Sequence, residues 1–113
     1  MEKLVVVLMG EGKKFLNMCI ESVKDADAIV FCEGDNKLKD YFLELQEIYG
    51  FKGYYIWNKF DKDNPKMNGT QRNFYLNYVK ENFQDWWCLA LDFDEVVDDL
   101  NKIKEFIQTA IPA

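Results

Sequence analysis

The feature that most constrains the fold of this chain is a fourfold alternation of short apolar runs with longer segments that carry apolar residues at helical spacing. The runs are KLVVVL at residues 3–8, AIVFC at 28–32, YYIW at 54–57 and WWCLAL at 86–91. Short runs rich in β-branched and aromatic residues predict strands, and apolar residues three and four positions apart predict amphipathic helices. The predicted order is therefore β-α-β-α-β-α-β-α.

Continuous apolar strands that alternate with helices are typical of a mostly parallel sheet covered on both faces and joined by right-handed crossovers. We therefore predict one α/β domain over residues 1–113, with a Rossmann-like three-layer α/β/α architecture. Gly50 is expected to end the second helix and Asp98 to cap the last one. The polar stretch NKFDKDNPKMNG at residues 58–69 predicts a long loop in which Gly69 marks irregular backbone. The three cysteines lie in apolar segments and are expected in the core: Cys19, Cys32 and Cys88.

Composition excludes several classes of function. A net charge of −6 and a pI near 4.6 argue against nucleic-acid binding through a broad basic surface. The apolar runs are too short for a transmembrane segment, and residues 1–8 lack the basic start and long apolar stretch of a signal peptide. An odd number of cysteines in no metal-ligand spacing suits a reducing compartment, so we expect a cytoplasmic protein.

Acidic residues follow three of the predicted strands. Glu11 comes after the first strand, Glu33 ends the second, and Asp92 and Asp94 follow the fourth. The carboxyl ends of parallel strands meet at one edge of the sheet, where ligands of such folds bind. In an extended segment Asp92 and Asp94 point the same way while Phe93 turns back to the core, so the pair can hold a hard cation such as Mg²⁺ or Mn²⁺.

Two segments resemble the family 2 glycosyltransferases of the GT-A fold. CIESVKDADAIVFCEGD is similar to the family's first helix and second strand, commonly written leSvkd-aDEIvvvD. NGTQRNFYLNYVKENFQDWWCLALDFDE is similar to its RN-al-a-dWil-lDaDE segment, in which Arg-Asn opens a helix and an acidic D-x-D-E ends the next strand. The resemblance covers the nucleotide-sugar-binding half of the family and nearly the whole chain.

The resemblance implies a glycosyltransferase that moves a sugar from a nucleoside diphosphate sugar to an acceptor hydroxyl that the sequence does not identify. It implies that Asp92 lies near the ribose and that Asp94, with Asp92, coordinates Mn²⁺ or Mg²⁺ at the diphosphate. Glu33 takes the place of an aspartate that contacts the base. Glu11 matches the acid of an Asn-Glu pair and contacts the nucleotide or fixes its loop, and Arg72 donates to phosphate oxygens.

The chain also departs from the family pattern. It reads EGDNKL where the family often shows D-g-S-t-D-g-T, Gly10 replaces the usual Asn, and there is no histidine to act as a metal ligand. Too few residues follow Asp92 for the acceptor half, so we expect either a fragment or a chain completed by a partner. Exposed apolar surface at that place would favour a homo-oligomer. No catalytic base is identified, and Glu95 is the nearest unassigned acid.

Three other readings stay open. A nucleotide-sugar-binding module without catalysis fits the same residues. A response-regulator receiver has similar element order, but it needs an acidic pair after the first strand and a phospho-accepting Asp after the third, where this chain has Met9-Gly10-Glu11 and Trp57-Asn58. A haloacid-dehalogenase-type phosphatase carries its D-x-D on the first strand, not the last. Most aromatic residues are expected in the core, with Trp57 as the exception at the ligand edge.

Overall fold

The computed structural model describes residues 2–34, 36–58, 63 and 65–110. Four strands and four helices alternate along this part of the chain. They are β1 (Leu4–Gly10), α1 (Leu16–Val23), β2 (Ala28–Glu33), α2 (Lys39–Tyr49), β3 (Gly53–Trp57), α3 (Met67–Asn82), β4 (Trp87–Asp92) and α4 (Leu100–Thr109). The predicted order of elements is confirmed, and every predicted strand is found within two residues of its predicted limits.

The strands form one four-stranded parallel sheet in the order β3-β2-β1-β4. The register places Gly10 of β1 beside Glu33 of β2 and Met9 beside Asp92 of β4. Glu33 in turn lies beside Trp57, the last residue of β3. All four strands therefore end at the same edge, and the fold is a Rossmann-like α/β fold whose described strands are all parallel.

Helices cover both faces of the sheet. On one face α1, α2 and α4 pack on alternate strand residues such as Leu8 and Phe31. On the other face α3 packs over β1, β2 and β3 through Tyr75 and Val79, together with Phe83 directly after the helix. The central strands β1 and β2 are buried on both sides, which explains their continuous apolar sequences.

Strand β4 differs from the two central strands because α3 does not reach over it. Its residues alternate between half-buried and exposed, although its sequence is apolar throughout. The prediction that Cys88 lies in the core is therefore wrong, since its side chain is exposed, whereas Cys19 and Cys32 are buried as predicted. Burial raises the pKa of both buried thiols to about 12, so they stay protonated at neutral pH.

The ends of the helices agree with the sequence in part. Gly50 ends α2 in the left-handed conformation, and its N–H donates to the carbonyl of Gln46, as the Gly at this place predicts. Asp99, and not Asp98, caps α4 by accepting a bond from the Lys102 N–H. Gly69 lies inside α3, so the helix starts earlier than predicted. Positions 59–62 and 64 of the predicted loop lie outside the described residues.

A membrane-spanning segment would need a long apolar helix. None of the helices in the described ranges is both long and apolar enough to cross a bilayer.

Candidate functional site

The strand order places a topological switch point between β1 and β4. From β1 the chain builds the sheet outward through β2 and β3, and β4 then adds on the opposite side of β1. The loops that leave β1 and β4 both lead to helices on the same face of the sheet, and they line a crevice at the carboxyl ends of these two strands. In open parallel sheets this crevice is where ligands bind.

A cavity of about 450 Å³ lies at this crevice. Its walls are the loop at residues 10–15 and the turn at residues 92–94, together with Met9. Three of the residues singled out in the sequence line it: Glu11, Asp92 and Asp94. They come from two segments that are about eighty positions apart in the chain.

Phe93 fixes the turn that carries the two aspartates. Its side chain is buried, and its ring stacks on Phe31 with the centroids 4.5 Å apart. Asp92 and Asp94 on either side of it are exposed. The prediction that Phe93 turns back into the core is confirmed, although Phe93 and Asp94 lie in a turn, closed by a bond from the Glu95 N–H to the Asp92 carbonyl, and not in an extended segment. That Asp92 and Asp94 hold a cation together stays a prediction.

Gly10 allows this turn to sit against the end of β1. A Cβ atom built on Gly10 would lie 3.0 Å from Cγ of Phe93, and the residue has φ of +157°. A larger residue would therefore press on the ring that holds the two aspartates. This packing gives a structural reason for the glycine where the family resemblance leads one to expect Asn.

The electrostatic environment of Asp92 is repulsive. Desolvation raises the pKa of this carboxyl, the neighbouring Glu95 and Asp94 raise it further, and Arg72 partly lowers it. Glu95 is held close by the backbone, because its Oε1 accepts a bond of 2.8 Å from the Asp92 N–H. A carboxylate destabilised by like charges in a crevice is a typical feature of cation-binding and catalytic sites.

Arg72 lies in an adjoining cavity of about 360 Å³, which shares Met9 and Asp92 with the first one. Tyr75 and Glu95 also line this second cavity. Burial raises the pKa of Tyr75, and the guanidinium of Arg72 beside its hydroxyl offsets part of that rise. Arg72 therefore interacts with both Tyr75 and Asp92 at one side of the crevice.

Glu33 lies apart from these cavities. It is 1% exposed, and its Oε1 accepts bonds from the N–H groups of Lys37 and Leu38, at 2.9 and 2.8 Å, just before α2. The hydroxyl of Tyr55 donates a third bond, also of 2.8 Å. This oxygen is thus fully used inside the protein, and contact of Glu33 with a base stays a prediction.

Trp57 is the exposed aromatic residue that the sequence predicts at the ligand edge. Its side chain is 49% exposed, and its Nε1–H donates to the carbonyl of Gly34 at 3.3 Å. Next to it, Asn58 Nδ2 donates to Oε1 of Gln71, a polar side chain that is only 2% exposed. This bond connects the first turns of α3 to the end of β3. The burial of Gln71 could not be predicted from the sequence, because a polar residue is normally expected at the surface.

Two lysines that the sequence interpretation passed over also belong to the site. Lys13 and Lys14 line the first cavity beside Glu11. They follow the turn Gly10-Glu11-Gly12 directly. Two cations after a glycine turn at the end of the first strand are a sequence signal that could have indicated their place at the site.

The donor atoms at the turn suit a hard divalent cation. Carboxylate oxygens of Asp92 and Asp94 are ligands that Mg²⁺ and Mn²⁺ prefer, and these ions commonly take only one or two carboxylates and complete their shell with water and phosphate oxygens. The described residues contain no group of three or more acidic, cysteine or histidine side chains that could hold a metal by themselves. Two carboxylates would leave most coordination positions of such a cation to water and to a ligand.

Comparison with known proteins adds no assignment. No protein-family model matches the chain, and no curated protein matches it significantly.

Proposed function

We propose that this chain binds a nucleoside diphosphate sugar in the crevice between β1 and β4 and transfers the sugar to an acceptor hydroxyl, as family 2 glycosyltransferases do. One observation carries the proposal. Glu11, Asp92 and Asp94 line one cavity at the switch point of a parallel sheet, with Arg72 in the adjoining cavity. The resemblance of the sequence to the GT-A nucleotide-sugar-binding half supports the same assignment.

The side chains have distinct roles in this proposal. Asp94 and Asp92 would hold Mn²⁺ or Mg²⁺, which when bound acts as a Lewis acid toward the departing diphosphate. Asp92 also accepts a hydrogen bond from the ribose, and Glu11 orients the nucleotide from the opposite wall. Arg72 donates to phosphate oxygens from the second cavity. The repulsion among Asp92, Asp94 and Glu95 favours uptake of a cation, because a cation neutralises the charges that raise the pKa of Asp92.

A second candidate is a module that binds the nucleotide sugar without transferring the sugar. Glu95 is the nearest acid without an assigned role and so the nearest candidate for a catalytic base. Its Oε1 accepts a bond from the Asp92 N–H and helps to form the turn, and this structural role favours the binding module. Release of UDP or GDP from the corresponding sugar nucleotides separates the two candidates. An enzyme gives metal-dependent release above the uncatalysed rate, whereas a binding module gives uptake without release.

Calorimetric titration with UDP and GDP, with and without Mn²⁺, tests the binding step. We expect uptake of one nucleotide that depends on the metal, and a loss of affinity of about tenfold or more in Asp94→Asn, which removes one charged ligand. Asp98→Asn is the matched control, since Asp98 is exposed and does not line the cavity. Equal affinity of Asp94→Asn and the unaltered chain would contradict the proposal.

A further inference from the structure

Lys13 and Lys14 are the cationic side chains of the first cavity. Among the described residues neither ammonium forms an ion pair or a hydrogen bond, although Glu11, Asp92 and Asp94 line the same cavity. Opposite charges that share a cavity without pairing leave both sets available to a ligand.

The ammonium groups of both lysines lie over aromatic rings. Nζ of Lys13 lies 5.4 Å from the ring centroid of Tyr41, and Nζ of Lys14 lies 5.2 Å from that of Phe15. A cation over a ring face is attracted weakly, by about 0.5–1 kcal/mol at exposed sites, and keeps its hydrogen-bond donors free. The rings therefore orient the lysines without using the donors that an anion would need.

The loop between the strand and these lysines leaves room for a ligand. Gly12 has φ of +80°, and no described residue other than its two chain neighbours lies within 4 Å of the position that a Cβ atom would take. The space above Gly12 is thus open, so that a ligand can approach the backbone between Glu11 and Lys13.

Arg72 is less available to the same ligand. Its guanidinium interacts with the hydroxyl of Tyr75 and with Asp92, and it lines the second cavity. Binding of a diphosphate there would compete with these interactions, whereas Lys13 and Lys14 have no acidic partner to give up within the described part of the chain.

We propose that Lys13 and Lys14 bind the diphosphate group of the ligand, on the α1 side of the crevice. The inference rests on the proposed function for the identity of the ligand, a nucleoside diphosphate. It places the phosphates between the two lysines and the aspartate turn, with the two ammonium groups on one side of the anion and, on the other, the cation that Asp92 and Asp94 would hold.

The test compares two double variants that lose the same charge. Lys13→Gln/Lys14→Gln removes the proposed phosphate contacts. Lys3→Gln/Lys24→Gln is the matched control, because Lys3 and Lys24 also lie over aromatic rings, at 5.2 and 5.5 Å from the centroids, but line no part of the cavity. Thermal unfolding of both variants checks that each is folded.

Affinities are measured calorimetrically for UDP, GDP, uridine and inorganic pyrophosphate at one salt concentration in the presence of Mn²⁺. We expect Lys13→Gln/Lys14→Gln to weaken binding of the diphosphates by about 10- to 100-fold, the range for loss of one or two charge-assisted hydrogen bonds. Binding of uridine stays unchanged, and the control variant keeps its affinity for the diphosphates within about threefold, since charges distant from the cavity are largely screened.

The outcomes separate this inference from the proposed function. Nucleotide uptake that is equal in the two double variants would overturn the role of the lysines and leave the proposed function standing. Lysine-dependent uptake of pyrophosphate without uptake of either nucleotide would contradict the proposed function and keep the anion site. Failure of the unaltered chain to bind any of the four compounds would overturn both.

Discussion

Glu33 and Asp92 end the two strands that flank β1, yet the structure treats the two carboxylates in opposite ways. Glu33 is 1% exposed, and one of its oxygens accepts three hydrogen bonds. Asp92 is exposed and lies beside Asp94 and Glu95, so its environment disfavours its charge.

The difference teaches how to separate structural from functional acids at one sheet edge. An acid whose acceptor capacity is used by backbone N–H groups stabilises the fold and has little left to offer a ligand. An acid held among like charges costs stability, and a bound cation would offset that cost. The same position at the end of an apolar strand therefore holds a carboxylate that fixes the loop before α2 in the case of β2, and a candidate ligand-binding group in the case of β4.

The largest effect that sharpens this comparison is expected from Glu33→Ala. The change leaves the N–H groups of Lys37 and Leu38 without their acceptor, and the hydroxyl of Tyr55 keeps only Oδ1 of Asn36, at 2.9 Å, so we expect a loss of about 3 kcal/mol in the free energy of unfolding. Chemical denaturation measures it. Glu33→Gln is the control, since it keeps an acceptor oxygen and is expected to cost about 1 kcal/mol. Equal stabilities of the two variants would mean that the three bonds do not support the fold.

A smaller effect is expected from Gly10→Ala, which disturbs the other region. The added Cβ meets Phe93 at 3.0 Å in a backbone conformation with φ of +157°, so we expect a loss of about 2 kcal/mol from crowding and backbone strain. Denaturant unfolding compares it with Gly12→Ala, which has positive φ but open space, and which is expected to lose about 1 kcal/mol. An equal loss of unfolding free energy in the two variants would mean that crowding against Phe93 does not destabilise the fold.

The smallest effect, of opposite sign, is expected from Asp92→Asn. Because the pKa of Asp92 is raised in the folded chain, its ionised form is less favoured there than in the unfolded chain, and stability falls as pH rises through this range. The Asn variant avoids that cost. We expect its Tm at pH 7 to be about 1–2 °C above that of the unaltered chain, with the gain gone at pH 3.

Thermal unfolding at both pH values checks this prediction, and NMR titration of the Asp92 carboxyl in the metal-free chain measures the pKa itself. Glu95→Gln is a useful second variant, because it keeps an acceptor for the Asp92 N–H and removes a negative charge. After desolvation, that charge is the largest cause of the raised pKa of Asp92. A lower Tm for Asp92→Asn at pH 7 would show that the aspartate is stabilising, like Glu33, and would remove the contrast between the two regions.

Much of the fold could be predicted because its signals are local. Helical spacing of Leu16, Cys19, Ile20 and Val23 reports one buried face, and all four are buried in α1. The position of the acids at one edge also followed from the strand ends once the sheet was taken as parallel. Asp99 in place of Asp98 as the cap of α4 is an error of one residue, the usual uncertainty of a helix start.

The candidate site was predictable only in part. Glu11, Asp92 and Asp94 were named from the sequence and lie in one cavity, but Lys13 and Lys14 were not, since adjacent lysines most often only decorate a surface. The exposure of Cys88 was also missed, because an apolar strand carries no sign of which helix covers it.

The sequence by itself determined the alternation of strands and helices and the placement of acids at strand ends, because periodicity and turn residues act over a few neighbouring positions. Only the tertiary structure decided that β4 lies beside β1, that α3 leaves β4 uncovered, and that Glu33 is satisfied while Asp92 is not. These properties depend on contacts between residues distant in the chain, which a local pattern does not contain.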